Sequence, residues 1–240
     1  MTLPDPLGAG LEGLLDLQEV DLAIDRLLHQ RQTLPELTTY QEAAGRRDRL
    51  AGAQTERETR LRTSRRDLDK AEGELEILES KLKESETRLF AGGMSGRETE
   101  QKRLEVQALR GQQSAMEEKV LALIDVVDPL NAEFDAAAQE LAAAEAEVKD
   151  LEARIAEAWR KIDAQISRQE AIKAGLAQPI PTDLMTLYEQ LRRSKGGVAI
   201  SRLSGAVCGG CHLTLSKPEQ VEAADWDPPR CIHCMRILVL

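Results

Sequence analysis

Four cysteines near the end of the chain are the residues whose type and spacing could do chemistry. They form two CxxC pairs, Cys208–Cys211 and Cys231–Cys234, and nineteen residues separate the pairs. A CxxC pair brings two thiolates onto one tight turn, so two pairs can supply the four sulfur ligands of a tetrahedral site. The spacing therefore predicts one Zn²⁺ ion bound by Cys208, Cys211, Cys231 and Cys234.

This predicted site is structural. Four thiolates fill the coordination shell of zinc and leave no position for a reacting water molecule. Such a site contributes about 10–16 kcal/mol of apparent binding free energy at neutral pH. Residues 179–240 contain a single Trp and no Phe, and we expect this C-terminal part, called the head below, to depend on the metal for its fold.

Three other chemistries fit the cysteines less well. The run Cys208–His212 matches a c-type haem attachment pattern, but haem would require export and leave Cys231 and Cys234 unexplained. A redox dithiol would need a thioredoxin-like βαβ context, which is absent from the sequence. His212 or His233 could replace a cysteine as ligand, although four thiolates already suffice.

Composition indicates long helices for the rest of the chain. Only six of the 240 residues are aromatic, while 31% are charged, and Ala, Leu, Glu and Arg dominate. The formal net charge is −10: residues 1–178 carry about −11 and residues 179–240 about +1. No signal peptide or membrane-spanning run of ~20 apolar residues is expected. Four cysteines arranged for metal binding fit a cytoplasmic protein.

Apolar periodicity predicts three helices before the head. The first covers residues 11–34, the second runs to about residue 89, and the third ends near Gly175. Steps of three and four residues define a seam from Leu61 to Leu89 and another from Leu109 to Ile162. We expect bends at Pro35 and Pro129, because proline removes a backbone hydrogen bond and clashes with the preceding turn.

The glycine-rich segment 91–97 predicts a hairpin tip, because three glycines in five residues end the helical pattern. The two long helices would then pair antiparallel within residues 1–178. A fold centred on residue 94 sets the eight arginines of 46–66 opposite 122–142, which holds five acids and no Lys or Arg. We interpret the arginines as charges flanking the seam, with an RNA-binding run as the alternative.

The head, residues 179–240, combines short helices and strands. A helix is predicted from Asp183 to about Ser194, and a strand over 198–203. Ser216 and Glu219 form a capping box that opens a second short helix. A closing strand covers 237–240. The predicted fold class is mainly α: a long antiparallel coiled-coil hairpin with a small α+β zinc ribbon at its C-terminal end.

The chain resembles the bacterial C4-type zinc ribbon proteins with an N-terminal coiled-coil hairpin. Members of that family are often described as nucleic-acid-binding. The resemblance covers nearly the whole chain and rests most specifically on the head. Its motifs are Leu34-Pro35-Glu36, Arg97-Glu98, Glu105-Val106, Leu109, Gly196-Gly197-Val198-Ala199, Cys208-Gly209-Gly210-Cys211-His212, Arg230-Cys231 to Cys234, and Arg236-Ile237-Leu238-Val239.

This resemblance implies an adaptor in gene expression. Some relatives are linked to alternative sigma factors, to secretion or flagellar control, and to RNA handling. The metal ligands carry over to the four cysteines, whereas no binding residue carries over. Relatives usually have glycine after the last cysteine, where this chain has Met235. If that position needs a positive φ, methionine costs on the order of 1–2 kcal/mol.

Two functions are expected from these features, and neither is enzymatic. The first is an adaptor that contacts protein partners through the head and through the tip residues Phe90, Met94 and Arg97. The alternative is an RNA- or DNA-binding protein, whose contact residues would be Arg192, Arg193, Lys195, Arg202, Trp226, Arg230 and Arg236. A third reading, a coiled-coil regulator of RNA polymerase, is disfavoured because the tip acids Glu98 and Glu100 lie back on the helix.

Overall fold

The computed structural model describes residues 6–240 and is mainly helical. Five helices, α1 to α5, and three strands, β1 to β3, follow each other along the chain. In chain order they are α1 (Pro6–Gln32), α2 (Pro35–Phe90), α3 (Gly96–Ala177), α4 (Thr182–Ser194), β1 (Ile200–Ser204), β2 (Val207–Cys208), α5 (Lys217–Ala224) and β3 (Ile237–Val239). Strand β2 is not predicted from the sequence; the bounds of the other elements agree with the sequence prediction to within about five residues, and the fold class is confirmed.

Contacts group the chain into two compact units. The terminal unit contains residues up to Thr38 together with Glu152–Leu240, and the hairpin unit is Thr39–Leu151. The sequence predicts a domain boundary between residues 178 and 179. In the terminal unit, α1 and the end of α3 are grouped with residues 179–240, because apolar side chains of α1 form part of the core on which β1 and α4 pack.

The hairpin unit is an antiparallel pair formed by α2 and α3. Its buried positions follow the predicted 3-4 rhythm: Leu61, Ala71, Leu82 and Ser85 on α2, and Val120, Val127, Ala137, Ala144, Val148 and Leu151 on α3. Helix α3 continues through Pro129 without interruption. The turn between the helices contains Gly92 and Gly93, whose φ angles of 77° and 85° favour glycine.

The pairing of the two helices differs from the predicted one by several residues. Arg46 forms an ion pair with Glu147, which lies beyond the predicted strip 122–142. Arg65 hydrogen-bonds to the amide of Asn131. Over the described residues 6–240, no ion pair joins the eight arginines to Asp125, Asp128, Glu133, Asp135 or Glu140. The predicted pairing of these two charged stretches is therefore wrong in its detail.

The terminal unit has two apolar clusters. The larger one is formed by α1, α4 and the sheet, and it includes Leu14, Leu17, Tyr188, Ile200 and Ile237, all with no exposed surface. The smaller one surrounds the cysteines with Leu215, Ala223 and Leu238. The sheet has the order β2-β1-β3; β1 pairs antiparallel with β2 and parallel with β3. None of the helices described over residues 6–240 combines the length and apolar composition needed to cross a membrane.

Candidate metal centre and its surroundings

The two CxxC pairs lie on two turns of the same construction. The amide of His212 donates to the carbonyl of Cys208 at 2.8 Å, and the amide of Met235 donates to that of Cys231 at 2.7 Å. His212 and Met235 have φ angles of 61° and 62°, in the left-handed region. Position 235 thus does have the positive φ that would favour glycine there, and His212 occupies the equivalent position of the first turn.

The four sulfur atoms come together at distances compatible with a tetrahedral metal site. They lie within 4.8 Å of one another. The Sγ–Sγ distance is 3.9 Å between Cys208 and Cys234, and 3.8 Å between Cys211 and Cys231. Zinc–sulfur bonds of ~2.3 Å require tetrahedron edges of about 3.8 Å, and a disulfide requires ~2.05 Å. The residues therefore fit a zinc ion and are not disulfide-bonded.

Burial and hydrogen bonding shift the pKa values of Cys208, Cys211 and Cys231 in different directions. Burial by itself raises the pKa of the Cys208 thiol. The Ser201 hydroxyl and the backbone amides of Gly210 and Cys211 outweigh burial and lower this pKa to about 6. Burial raises the pKa of Cys231 to about 12 and raises that of Cys211 as well. A bound cation would compensate this cost by stabilising all four thiolates.

The backbone of the first turn comes close to the residues beside the second turn. A Cβ atom at Gly210 would lie 2.6 Å from Cδ of Arg236 and 3.1 Å from the hydroxyl of Ser201. The guanidinium of Arg236 is fixed there by hydrogen bonds to the carbonyls of Val198 and Lys195, at 2.8 and 3.1 Å. Glycine at position 210 thus allows the two halves of the ribbon to pack closely.

The knuckle histidines are not members of the ligand cluster, which contains only cysteines among the described residues. Nε2 of His233 lies 3.8 Å from Glu219. Glu219 also accepts a hydrogen bond from the amide of Ser216 at 2.7 Å, completing the predicted capping box of α5. His233 therefore faces the start of α5.

Three of the residues proposed to contact nucleic acid are engaged within the protein. Arg192 donates to Asp25 at 2.7 Å and lies 3.5 Å from Asp21. The guanidinium of Arg202 donates one hydrogen bond to each carboxylate oxygen of Glu12. Arg236 donates to the two backbone carbonyls described above. Since these charges are satisfied internally, they are weak candidates for phosphate contacts.

The remaining head residues are more accessible. Arg193 is exposed and Lys195 is half-buried. Trp226 is 45% exposed, and the guanidinium carbon of Arg230 lies 5.7 Å from the centroid of its ring. Nε of Arg230 is buried without a hydrogen-bond partner. Trp226 and Arg230 thus form a small aromatic and cationic surface beside the second cysteine pair.

The hairpin tip exposes one large apolar side chain. Phe90, the last residue of α2, is 80% exposed, while Met94 is half-buried and Arg97 exposed. Glu98 accepts hydrogen bonds from the amide and the hydroxyl of Ser95 at 2.8 and 2.7 Å, which form a capping box at the start of α3. These hydrogen bonds lower the pKa of Glu98. The carboxylate of this tip acid therefore caps the start of α3.

Sequence reasoning missed two polar residues of α1. Gln18 accepts hydrogen bonds from the amides of Ala199 and Ile200 at 2.6 and 2.9 Å and donates to the carbonyl of Ile200 at 2.9 Å. Asp21 is 1% exposed, accepts a hydrogen bond from Tyr188 at 2.7 Å and lies 2.8 Å from Nζ of Lys173. Both residues interrupt the apolar face of α1, which was the available signal.

The chain is similar in sequence to a known protein family and to known proteins. Residues 17–196 match the CT398-like coiled coil hairpin domain. An uncharacterised protein of Mycobacterium tuberculosis, found in strains CDC 1551 and H37Rv, is 25% identical over 233 residues, covering 94% of this chain and 93% of its own.

Two solved structures share the fold. A protein from Mycobacterium smegmatis superposes with a TM-score of 0.81 at 20% identity, covering 97% of both chains. CT398 from Chlamydia trachomatis superposes with a TM-score of 0.65 at 19% identity, covering 97% of this chain and 98% of its own. At these identities the likeness concerns the fold alone.

Proposed function

We propose that this chain, which belongs to the CT398-like coiled coil hairpin family, is a non-enzymatic adaptor that binds protein partners in gene expression or its regulation. In this proposal the cysteine site is a structural element. Cys208, Cys211, Cys231 and Cys234 would hold one Zn²⁺ ion, which supplies a rigid cross-link between the two turns. The donor set of four thiolates supports this role, because it leaves no ligand position for a substrate.

The observation that carries the adaptor proposal is the exposure of Phe90. A phenylalanine is a costly residue to leave 80% in water at the end of a helix. Its neighbours Gly92 and Gly93 have open space around them, so a partner surface can approach the tip backbone. Arg97 is exposed close by in the sequence, while Arg88 forms an ion pair with Glu84 at 3.3 Å. A partner with an apolar pocket fits this tip.

Site-directed photocrosslinking in the native cell tests the proposal. A photoreactive phenylalanine at position 90 is expected to capture one defined protein, and purified complex should lose at least ~10-fold in affinity with Phe90→Ala. The matched control is Leu121, also exposed at 61% in the hairpin unit but distant from the tip; Leu121→Ala should leave affinity unchanged. Equal losses for both substitutions would show that the tip is not the binding surface.

A second function, binding of single-stranded RNA or DNA by the head, is favoured by the Trp226–Arg230 pair. An exposed indole with a guanidinium over its face can stack a base, worth about 1–3 kcal/mol. Titration of the full-length protein with a labelled oligonucleotide at low salt is expected to quench tryptophan emission, and Trp226→Ala should remove both the quenching and the binding. Binding that survives Trp226→Ala would contradict this function.

The proposal includes a cytoplasmic location. A cluster of four cysteines arranged for metal rather than for disulfides is typical of a reducing compartment. Measurement of the thiol and zinc content of the protein purified without reductant from its native host tests this point. We expect four alkylatable thiols after zinc removal; disulfides in that material would contradict a cytoplasmic location.

A further inference from the structure

Three shallow grooves follow one another along the hairpin unit. Each lies between α2 and α3, and each is lined by residues from both helices. The residues that line the first groove include Arg46, Leu50, Glu140, Ala143, Ala144 and Glu147. The second includes Arg60, Ser64, Val126, Pro129, Leu130 and Glu133. The third includes Glu74, Leu78, Gln112, Ala115, Met116 and Lys119.

The three grooves share one face of the hairpin. On α2, the lining residues 46, 60 and 74 are spaced by fourteen positions, as are 50, 64 and 78. On α3, residues 147, 133 and 119 keep the same spacing. Fourteen residues are two heptads, so equivalent positions return to the same side of a coiled coil. This side, defined by these residues, is called the grooved face.

Apolar side chains along the grooved face are only partly covered. Ile77 is 58% exposed beside the third groove, and Val126 is 48% exposed beside the second. Alanines, Pro129, Leu130 and Met116 form much of the remaining floor. Covering such a surface with another apolar surface is favourable, by about 25 cal/mol for each Å² of apolar surface removed from water.

Charges at the edges of the grooves form a regular pattern. At each level a charge of α2 lies across the groove from an opposite charge of α3: Arg46 with Glu147, Arg60 with Glu133, and Glu74 with Lys119. The second groove also includes Asp125 of α3, and the third includes Lys81 of α2. The outer two pairs are ion pairs, the latter with an N–O distance of 3.5 Å. The central pair is different, because neither Arg60 nor Glu133 has an ion pair anywhere among residues 6–240.

We propose that the grooved face binds a second copy of this chain. A two-fold axis parallel to the hairpin would bring α2 of one copy opposite α3 of the second copy, with both hairpins pointing the same way. Because opposite signs flank every groove, each of the three levels is then complementary to itself. Arg60 meets the second copy's Glu133, and the reciprocal pair forms on the other side of the axis.

The size of the surface supports a dimer. From residue 46 to residue 81 the helix extends about 50 Å at 1.5 Å per residue. Two helices, each about 10 Å wide, give a strip of roughly 1,000 Å² per copy, which compares with ~800 Å² per partner in stable interfaces. An axis running across the helices at the central level would instead place Arg60 opposite Arg60, so charge favours the parallel arrangement.

Sedimentation equilibrium of the full-length protein at low ionic strength tests the proposal. The expected species has about twice the 26.5 kDa mass of the chain. Arg60→Glu places two like-charged pairs in the interface, so the dimer dissociation constant should rise at least ~10-fold. The double exchange Arg60→Glu with Glu133→Arg restores complementarity and should bring the constant back to near the wild-type value.

Arg62→Glu is the matched control. Arg62 is exposed, two residues away and outside the three grooves, so its reversal carries the same change in net charge and should leave the dimer intact. Circular dichroism checks that each variant keeps its helix content. A monomer at all concentrations overturns the proposal, as does an Arg62→Glu effect equal to that of Arg60→Glu or a failure of the double exchange to restore the dimer.

Discussion

The terminal unit and the hairpin unit bury different kinds of side chain. In the terminal unit, Leu14, Leu17, Tyr188 and Ile200 have no exposed surface, and polar groups such as Asp21 are buried among them. In the hairpin unit the buried residues are mainly Ala, Val and Leu, and Ala71 is the one with no exposed surface. The terminal unit therefore depends on individual contacts, whereas the hairpin unit depends on a repeated pattern in which each level contributes a little.

The largest effect is expected from the cysteine site. Cys231→Ser removes a buried ligand and should abolish stoichiometric zinc binding, with a loss of up to about 10–16 kcal/mol of metal-linked stability. Metal analysis should show near-zero zinc, and Trp226 emission should shift, while the helical signal of the hairpin unit persists. His233→Ala is the control and should retain zinc. A collapse of the whole helical signal would contradict the independence of the two units.

The next effect concerns Asp21. Asp21→Ala leaves Lys173 and Arg192 without their buried partner, and we expect a loss of about 3–5 kcal/mol. Asp25, which contacts Arg192 from an exposed position with 45% side-chain exposure, is the matched control, and Asp25→Ala should cost no more than ~1 kcal/mol. Denaturant unfolding followed by Trp159 fluorescence measures both, and similar losses would show that burial of Asp21 is unimportant.

Within the hairpin unit a single truncation should have a smaller effect. Leu61 is 4% exposed, and Leu61→Ala should cost an amount at the lower end of the ~2–5 kcal/mol range, because neighbouring seam residues can partly close the cavity. Circular dichroism should show a lower midpoint for the helical transition. Zinc content and Trp226 emission should stay unchanged; if they changed, the comparison between the two units would need revision.

Tyr188 links stability to alkaline pH. Burial and the Asp21 carboxylate raise the pKa of Tyr188 well above its ordinary value near 10. The folded state therefore holds this proton more tightly than the unfolded state, and the stabilisation is complete below pH ~10 and is lost as the pH rises further. Tyr188→Phe should cost about 1.5–3 kcal/mol at pH 7 and should flatten the loss above pH 10. An unchanged pH profile would contradict the assignment.

The smallest effect is a gain. Met235 has a φ of 62°, so Met235→Gly should stabilise the second cysteine turn by about 1–2 kcal/mol. Met235→Ala keeps the backbone strain and serves as the control. The thermal midpoint of the zinc-bound protein measures the difference, and a destabilised glycine variant would show that the methionine side chain contributes packing that outweighs the strain.

Local patterns were enough to predict much of this molecule. The helices, the tip, the capping box of α5 and the cysteine cluster depend on residues close together in the chain. The types and spacing of these residues therefore predict them directly from the sequence. Distant pairings were harder. The offset between α2 and α3 depends on how the turn after Phe90 is built, so Arg46 has a different partner from the predicted one. Gln18 and Asp21 could not be matched to partners more than 150 residues away.

The hydrogen bonds of Gln18 have a consequence for biosynthesis. Gln18 leaves the ribosome before its partners Ala199 and Ile200, which follow 181 and 182 residues later. At about 5–20 residues per second, roughly 10–35 s separate the two events. The hairpin unit is synthesised between Gln18 and Ala199. It can fold through contacts between residues closer in the sequence before the partners of α1 have been synthesised. We therefore expect nascent chains that stop before Ile200 to display a folded hairpin and an α1 with its apolar face uncovered.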